Sequence, residues 1–313
     1  QCLSISALGK SELAARLPSA AAALAFSLLC LSLGARLYGQ RAGLHAGLAA
    51  AAMLQSAVYA RAAVPDMLLA LGVLVALWGF AGSGLGERKF NQAWRSYLGL
   101  YLGCALGFLA KGPLGAILPG LTVFLFFVLS RDWRGMARLG LVRGAVIFLV
   151  AAAPWFVWMY GRHGMSFITE IFLNRNIQHY FTDRWQHEGP LYYYLPVLLA
   201  GTFPWTAALA GGLTRTAGAV RGIVLGREPD KEARSGLFLW CWLFGMLMFF
   251  SFSRAKLPNY VLPLYPALAV LAGRFMADLE EGVSRRARLL FGWGTALAAL
   301  AALTAGLVIL PRK

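Results

Sequence analysis

Asp66, Lys111, Arg254, Lys256, Asn259 and Tyr260 are residues whose types and surroundings could do chemistry in this chain. Each lies at the edge of a long apolar stretch, where an ionised group is costly and usually serves a site or a pathway. A carboxylate with several cations at one mouth suits an anionic, membrane-embedded substrate. The cations hold a phosphate, and the carboxylate handles a hydroxyl proton. One long link, residues 161–190, adds Arg175, His179 and His187, along with Glu170, Asn174, Asp183, Arg184 and Glu188. No phosphate-binding glycine motif accompanies them, so an activated donor is expected from the lipid phase.

Each residue also has a plainer reading. Asp66 follows Val64-Pro65 and fits a helix N-cap, where the dipole favours an anion. Lys111, alone between two apolar stretches, fits a snorkelling anchor. Arg254 and Lys256 fit lipid-headgroup contacts. His179 and His187 fit hydrogen-bonded surface histidines better than metal ligands. Trp155, Trp158, Trp185, Trp205 and Tyr192-Tyr193-Tyr194 fit an interfacial aromatic belt. What favours a site is their arrival on one side of the chain's spans.

Those spans follow from ten windows free of Asp, Glu, Lys and Arg: 17–35, 42–60, 67–86, 96–110, 112–130, 144–161, 189–214, 235–253, 257–273 and 289–311. A bilayer core about 30 Å thick takes roughly 20 apolar helical residues. Helices are the open-chain way to satisfy the backbone in lipid, so an all-α polytopic membrane bundle of about ten spans is expected. With 59% hydrophobic and 13% charged residues, the chain departs from soluble composition. The net charge of +16 does not imply nucleic acid, because the cations flank spans rather than line one face.

Alternating the links between two faces puts 18 of the 29 Lys and Arg residues on one face. The positive-inside bias makes that face cytoplasmic. The opposite, exoplasmic face receives Asp66, Lys111, the 161–190 link and the 253–260 segment. A start on that outer face predicts at least one span before Gln1. Cys2, Cys30, Cys104 and Cys241 form no CxxC pair, so neither a disulfide framework nor a cysteine metal site is expected. A transporter or lipid flippase is the alternative that the number of spans alone supports. Transporters tend to place ionisable groups near the midplane, and here those positions are nearly free of charge.

In order along the chain, several motifs then accumulate. Gly9-Lys10-Ser11-Glu12 leads into Ala15-Arg16-Leu17-Pro18-Ser19, and Val64-Pro65-Asp66 and Leu109-Ala110-Lys111-Gly112 follow. Next come Pro154-Trp155, His187-Glu188-Gly189-Pro190 with Tyr193-Tyr194, and Pro204-Trp205. Phe250-Ser251-Phe252-Ser253 then precedes Lys256-Leu257-Pro258-Asn259-Tyr260-Val261-Leu262-Pro263. In this order they resemble the integral-membrane glycosyltransferases of the C-type (GT-C) fold, in the bacterial branch related to protein O-mannosyltransferases and the lipid A aminoarabinose transferase. The likeness runs from about residue 7 to about residue 275.

The resemblance implies one transmembrane GT-C domain over 1–313 whose 161–190 loop covers the site. It implies a bacterial inner-membrane enzyme acting on the periplasmic face. A sugar would pass from a polyprenyl-phosphate donor, with inversion, to a lipid A, glycolipid, cell-envelope glycan or protein acceptor. Lys111, Lys256 and Tyr260 would bind or flank the donor phosphate, with Arg254, Arg175 and His179 as further candidates. Asp66 would support the acid-base or acceptor side, with His187 and Asn259 as acceptor or loop residues. Two departures matter. The family's principal catalytic aspartate belongs to a first outer loop expected before Gln1. His179-Tyr180 also stands where the family commonly has Arg-Phe, which makes a permanent cation titratable and leaves Arg175 as the candidate replacement. No cofactor is called for, while a divalent metal, the sugar and the acceptor stay open.

Overall fold

The computed structural model describes residues 4–6, 9–169, 189–228 and 230–282, with 166–169 as backbone only. Regular structure among them is helical. Helices α1 (Glu12–Tyr38), α2 (Gln40–Ala52) and α3 (Leu54–Arg61) are followed by α4 (Asp66–Gly82), α5 (Trp94–Lys111) and α6 (Leu114–Ser130). Then come short α7 (Trp133–Arg138), long α8 (Leu141–Thr169), α9 (Tyr194–Gly201), α10 (Thr206–Val224) and α11 (Lys231–Phe252). A 3-10 turn, Pro258–Leu264, leads into α12 (Tyr265–Glu280).

The charge-free windows among these residues are helical, but they are not all straight spans. Among the described residues, α1, α8, α11 and the 3-10 turn continued by α12 are long and apolar enough to cross a bilayer, and α9 with α10 would make a fifth span bent by 112°. Helices α4 and α6 are apolar but shorter. The 42–60 window breaks at Met53, whose extended backbone (ψ 130°) separates α2 from α3. The 257–273 window opens in the 3-10 turn, where Pro258 and Pro263 exclude ordinary helix hydrogen bonding. The window expected at 96–110 gains residues at both ends to become the 18-residue α5. The 289–311 window lies outside the described residues.

Without a hydrophobic drive between helices in lipid, close contact of small residues holds a bundle together. The α4–α5 pair shows this. A Cβ at Gly72 would lie 2.5 Å from the Gly107 backbone nitrogen, and one at Gly103 would lie 2.2 Å from that of Ala76. Phe80, Phe126, Phe127, Phe238 and Trp242 lock α4, α6 and α11 together through edge-on and tilted ring contacts.

Sidedness is visible in the ion pairs. Links expected on the basic face pair with one another: Arg234 with Glu87 and Asp132, Arg274 with Glu232, Arg215 with Asp278, and Arg41 with Glu281. Cys30, Cys104 and Cys241 are free thiols, and Cys2 lies outside the described residues. Of the expected aromatic belt, Trp158 and Tyr192 are exposed, but Tyr194 is fully buried against Phe250 and belongs to the core. Trp185 lies outside the described residues.

The glycine seam generates a prediction. Gly103→Ala should lower the apparent melting temperature of detergent-purified protein, because overpacking of this kind costs about 1–3 kcal/mol. Gly120→Ala, whose Cβ would meet nothing within 4 Å, should leave it unchanged or slightly raised. Equal behaviour of the two variants would show that the seam is not tightly packed.

Candidate functional site

Helices α4 and α5 run antiparallel, so the start of one and the end of the other share a mouth. Asp66 is the first residue of α4 and Lys111 the last of α5. The Lys111 ammonium donates to Asp66 Oδ1 at 2.5 Å. Asn259 Nδ2 donates to the same oxygen at 2.8 Å, which leaves Oδ2 without a hydrogen-bond partner among the described residues. The Asp66 side chain is 6% exposed and that of Lys111 25%. The N-cap reading of Asp66 is thereby corrected. Pro65 holds the cap position without a side-chain bond, and the carboxylate turns inward because a cation and an amide await it there. Lys111 likewise turns to the protein instead of the lipid interface.

The hairpin after Lys111 explains how it reaches. Gly112 adopts φ +72°, a region costly for other residues, and Pro113 caps α6. The chain therefore reverses at once, holding Lys111 at the mouth. Its ammonium also sits 4.9 Å from the centre of the Tyr260 ring, a favourable cation–π arrangement.

Asn259 and Tyr260 are delivered by the 3-10 turn, whose carbonyls need donors in an apolar surrounding. Gln55 of α3 supplies Nε2 to the Pro258 carbonyl at 2.5 Å. Trp242 of α11 supplies its indole N–H to the Pro263 carbonyl at 2.9 Å. With Asn259 on Asp66, the turn is tied to three helices. Just before it, Lys256 is 7% exposed and donates to the Ser253 carbonyl at 2.6 Å. No carboxylate pairs with it among the described residues. Gly189, where the chain resumes after the long link, lies against the Lys256 stem. At the link's other root, α8 packs on the end of α5 through Phe156 and Phe108, ring centres 5.2 Å apart.

The structure thus brings Asp66, Lys111, Asn259, Tyr260 and Lys256 to one end of the bundle. Arg254 is exposed and outside this network. Arg175, His179 and His187, with most of the 161–190 loop, lie outside the described residues. Among the described residues no group of three or more His, Cys, Asp or Glu could hold a metal ion. Sequence reasoning missed Gln55. Its signal was available: an amide inside an otherwise apolar window marks a position that must find a partner.

The profile of the dolichyl-phosphate-mannose-protein mannosyltransferase family matches residues 1–158, half of the chain. The chain belongs to this family. Among relatives, an undecaprenyl phosphate-alpha-4-amino-4-deoxy-L-arabinose arabinosyl transferase 2 of Sodalis glossinidius is 33% identical over 276 residues, 87% of this chain and 47% of that protein. The enzyme of the same name from Pseudomonas fluorescens Pf-5 is 33% identical over 213 residues, 68% of this chain and 34% of that protein. The chain therefore spans half or less of the length of these relatives. In three dimensions it is similar to the crystal structure of ArnT from Cupriavidus metallidurans bound to undecaprenyl phosphate, with a TM-score of 0.85 and 28% identity. That match covers 99% of this chain and 54% of the other. The fold is that of the membrane GT-C glycosyltransferases, and the family assignment extends the motif likeness noted in the sequence.

Coupling between Asp66 and Lys111 is testable by a double-mutant cycle. Lys111→Met strands a buried carboxylate and should cost about 2–4 kcal/mol of apparent stability in detergent unfolding. Adding Asp66→Asn should recover part of that loss. Additive losses would show that the two side chains do not act as a pair.

Proposed function

We propose that the chain is the membrane part of a glycosyltransferase that takes a sugar from a polyprenyl-phosphate donor on the periplasmic face of a bacterial inner membrane. The carrying observation is the buried Lys256 ammonium, bonded to one carbonyl and to no carboxylate among the described residues, at the same end of the bundle as Lys111, which Asp66 neutralises. Such a site has uncompensated positive charge at one place, and a phosphate would supply what is missing. Among the described residues the Ser253 carbonyl is the one acceptor of the Lys256 ammonium, which leaves donor capacity for phosphate oxygens.

The chemistry follows from charge. As the acceptor oxygen bonds to the anomeric carbon, the bond from that carbon to the phosphate oxygen breaks. The electron pair stays on the phosphate, and its growing charge is what a fixed cation stabilises. The acceptor proton leaves to a carboxylate. Asp66, with Oδ1 occupied by Lys111 and Asn259, keeps Oδ2 for the acceptor side. Names of the relatives support an undecaprenyl-phosphate-linked donor, and the solved ArnT structure supports an undecaprenyl phosphate site in this fold. The motif resemblance, rather than those names, points to lipid A, another glycolipid, a cell-envelope glycan or a protein as the acceptor. The excess of cations at the opposite end supports a cytoplasmic position for that end.

Membranes carrying the full-length enzyme should lose sugar transfer from undecaprenyl-phosphate-linked donor in Lys256→Ala and in Asp66→Ala, by about a hundredfold or more where a transition-state charge contact is removed. Insertion and melting behaviour of Lys256→Ala should stay close to those of the parent. Unchanged transfer in both variants would rule the reading out. Flipping of the donor in liposomes without a transfer product would favour a flippase instead.

A further inference from the structure

At the basic end, away from Asp66, an open cavity of about 530 Å³ lies between the α4–α5 connection and the α7–α8 junction. Its size falls within that of small-ligand sites. Lys89, Arg138 and Arg143 line it, and Phe90 and Gly140 form its floor. The two connecting segments, 83–95 and 131–143, carry seven Lys and Arg residues against Glu87 and Asp132. Both carboxylates point at Arg234, outside the cavity lining. Among the described residues the cations facing the cavity therefore lack acidic partners of their own.

The frame around them is fixed. Phe90 stacks on Tyr97 with ring centres 5.5 Å apart. The Tyr97 hydroxyl donates to the Arg88 carbonyl at 2.6 Å, and the Tyr101 hydroxyl to that of Leu139 at 2.9 Å. Gly140, at φ +64°, lets the chain turn over the Phe90 ring, where a Cβ would approach to 2.8 Å. Arg143 lies over Phe90 and bonds Asn91, and Arg138 bonds the Glu87 carbonyl at 3.1 Å. Among the described residues each guanidinium makes one hydrogen bond from its five donors. The Lys89 ammonium has no protein partner among the described residues.

The cavity's outer wall is apolar and open. Leu141 is 59% exposed and Val142 81% at the start of α8, a helix of which only 11% of the apolar window is buried in the bundle. A ligand here would meet cations at its head and lipid-facing hydrocarbon below. We propose that this cavity binds the headgroup phosphate of an anionic phospholipid, with its acyl chains descending along Leu141 and Val142. Basic pockets between spans at this end of a membrane protein suit such headgroups. Soluble phosphate would satisfy the cations but not the apolar wall.

The test is native mass spectrometry of the purified chain titrated with dioleoylphosphatidylglycerol, dioleoylphosphatidylcholine or sn-glycerol 3-phosphate. The anionic lipid should bind tightest. Lys89→Ala should weaken it about fivefold, the effect of one near-surface cation, while Lys89→Arg retains it. Lys89→Glu and Arg143→Glu should weaken it further, and Arg221→Glu, on the same end but outside the cavity, should leave it unchanged. If Arg143→Glu lowers the melting temperature, the Lys89 series decides alone, since that ammonium makes no hydrogen bond or ion pair among the described residues. Equal binding of the zwitterionic lipid, equal binding of glycerol 3-phosphate, or equal loss in Arg221→Glu would overturn the proposal.

Discussion

The bond between Lys111 and Asp66 organises one mouth of this bundle. It closes the ends of two antiparallel helices whose small residues bring their backbones into contact. Because α4 and α5 cannot separate without opening that seam, the carboxylate keeps one place, and Asn259 can be built to meet it. Tyr260 then falls beside the Lys111 ammonium. Neutralising one lysine in this way leaves Lys256 as a buried cation with no carboxylate partner among the described residues. A single ion pair thus decides which of the two lysines is left without a carboxylate among the described residues.

Irregular backbone gathers near the same mouth. Leu54, at the break after α2, donates its N–H to the Phe203 carbonyl at the bend between α9 and α10, so two interrupted spans meet at their interruptions. The 3-10 turn lies against them through Gln55. In hydrocarbon such backbone persists only where protein or a cavity satisfies it, and here the donors are Gln55, Trp242 and a neighbouring main chain. The basic end, by contrast, is held by ion pairs among the links themselves. One end of the bundle gathers interrupted backbone around a buried ion pair, and the other is anchored by ion pairs between its links.

Much of this was legible in the sequence because charge is scarce in it. Asp66, Lys111 and Asn259 stood out against apolar neighbours, and alternating the links placed them on one side before any contact was known. The number and straightness of spans were less legible. Hydropathy integrates over a window and does not register the extended Met53, or the bend at residues 202–205, where composition stays apolar. Tyr194 read as interface because tyrosine favours both settings, and only its packing on Phe250 distinguishes them. The inward turn of Asp66 was hidden too, since a cap and an ion pair start from the same position on a helix. Gln55 was visible, but its role depended on a turn more than two hundred residues later.

The division of labour between the two lysines can be measured directly by solid-state NMR. Protein labelled with 15N at the lysine side chains and loaded with undecaprenyl phosphate would be examined for 31P–15N dipolar dephasing. A lysine ammonium should dephase at hydrogen-bond range, and that signal should vanish in Lys256→Arg while persisting in Lys111→Arg. A signal that survives Lys256→Arg, or its absence from the parent protein with the phosphate bound, would contradict the account.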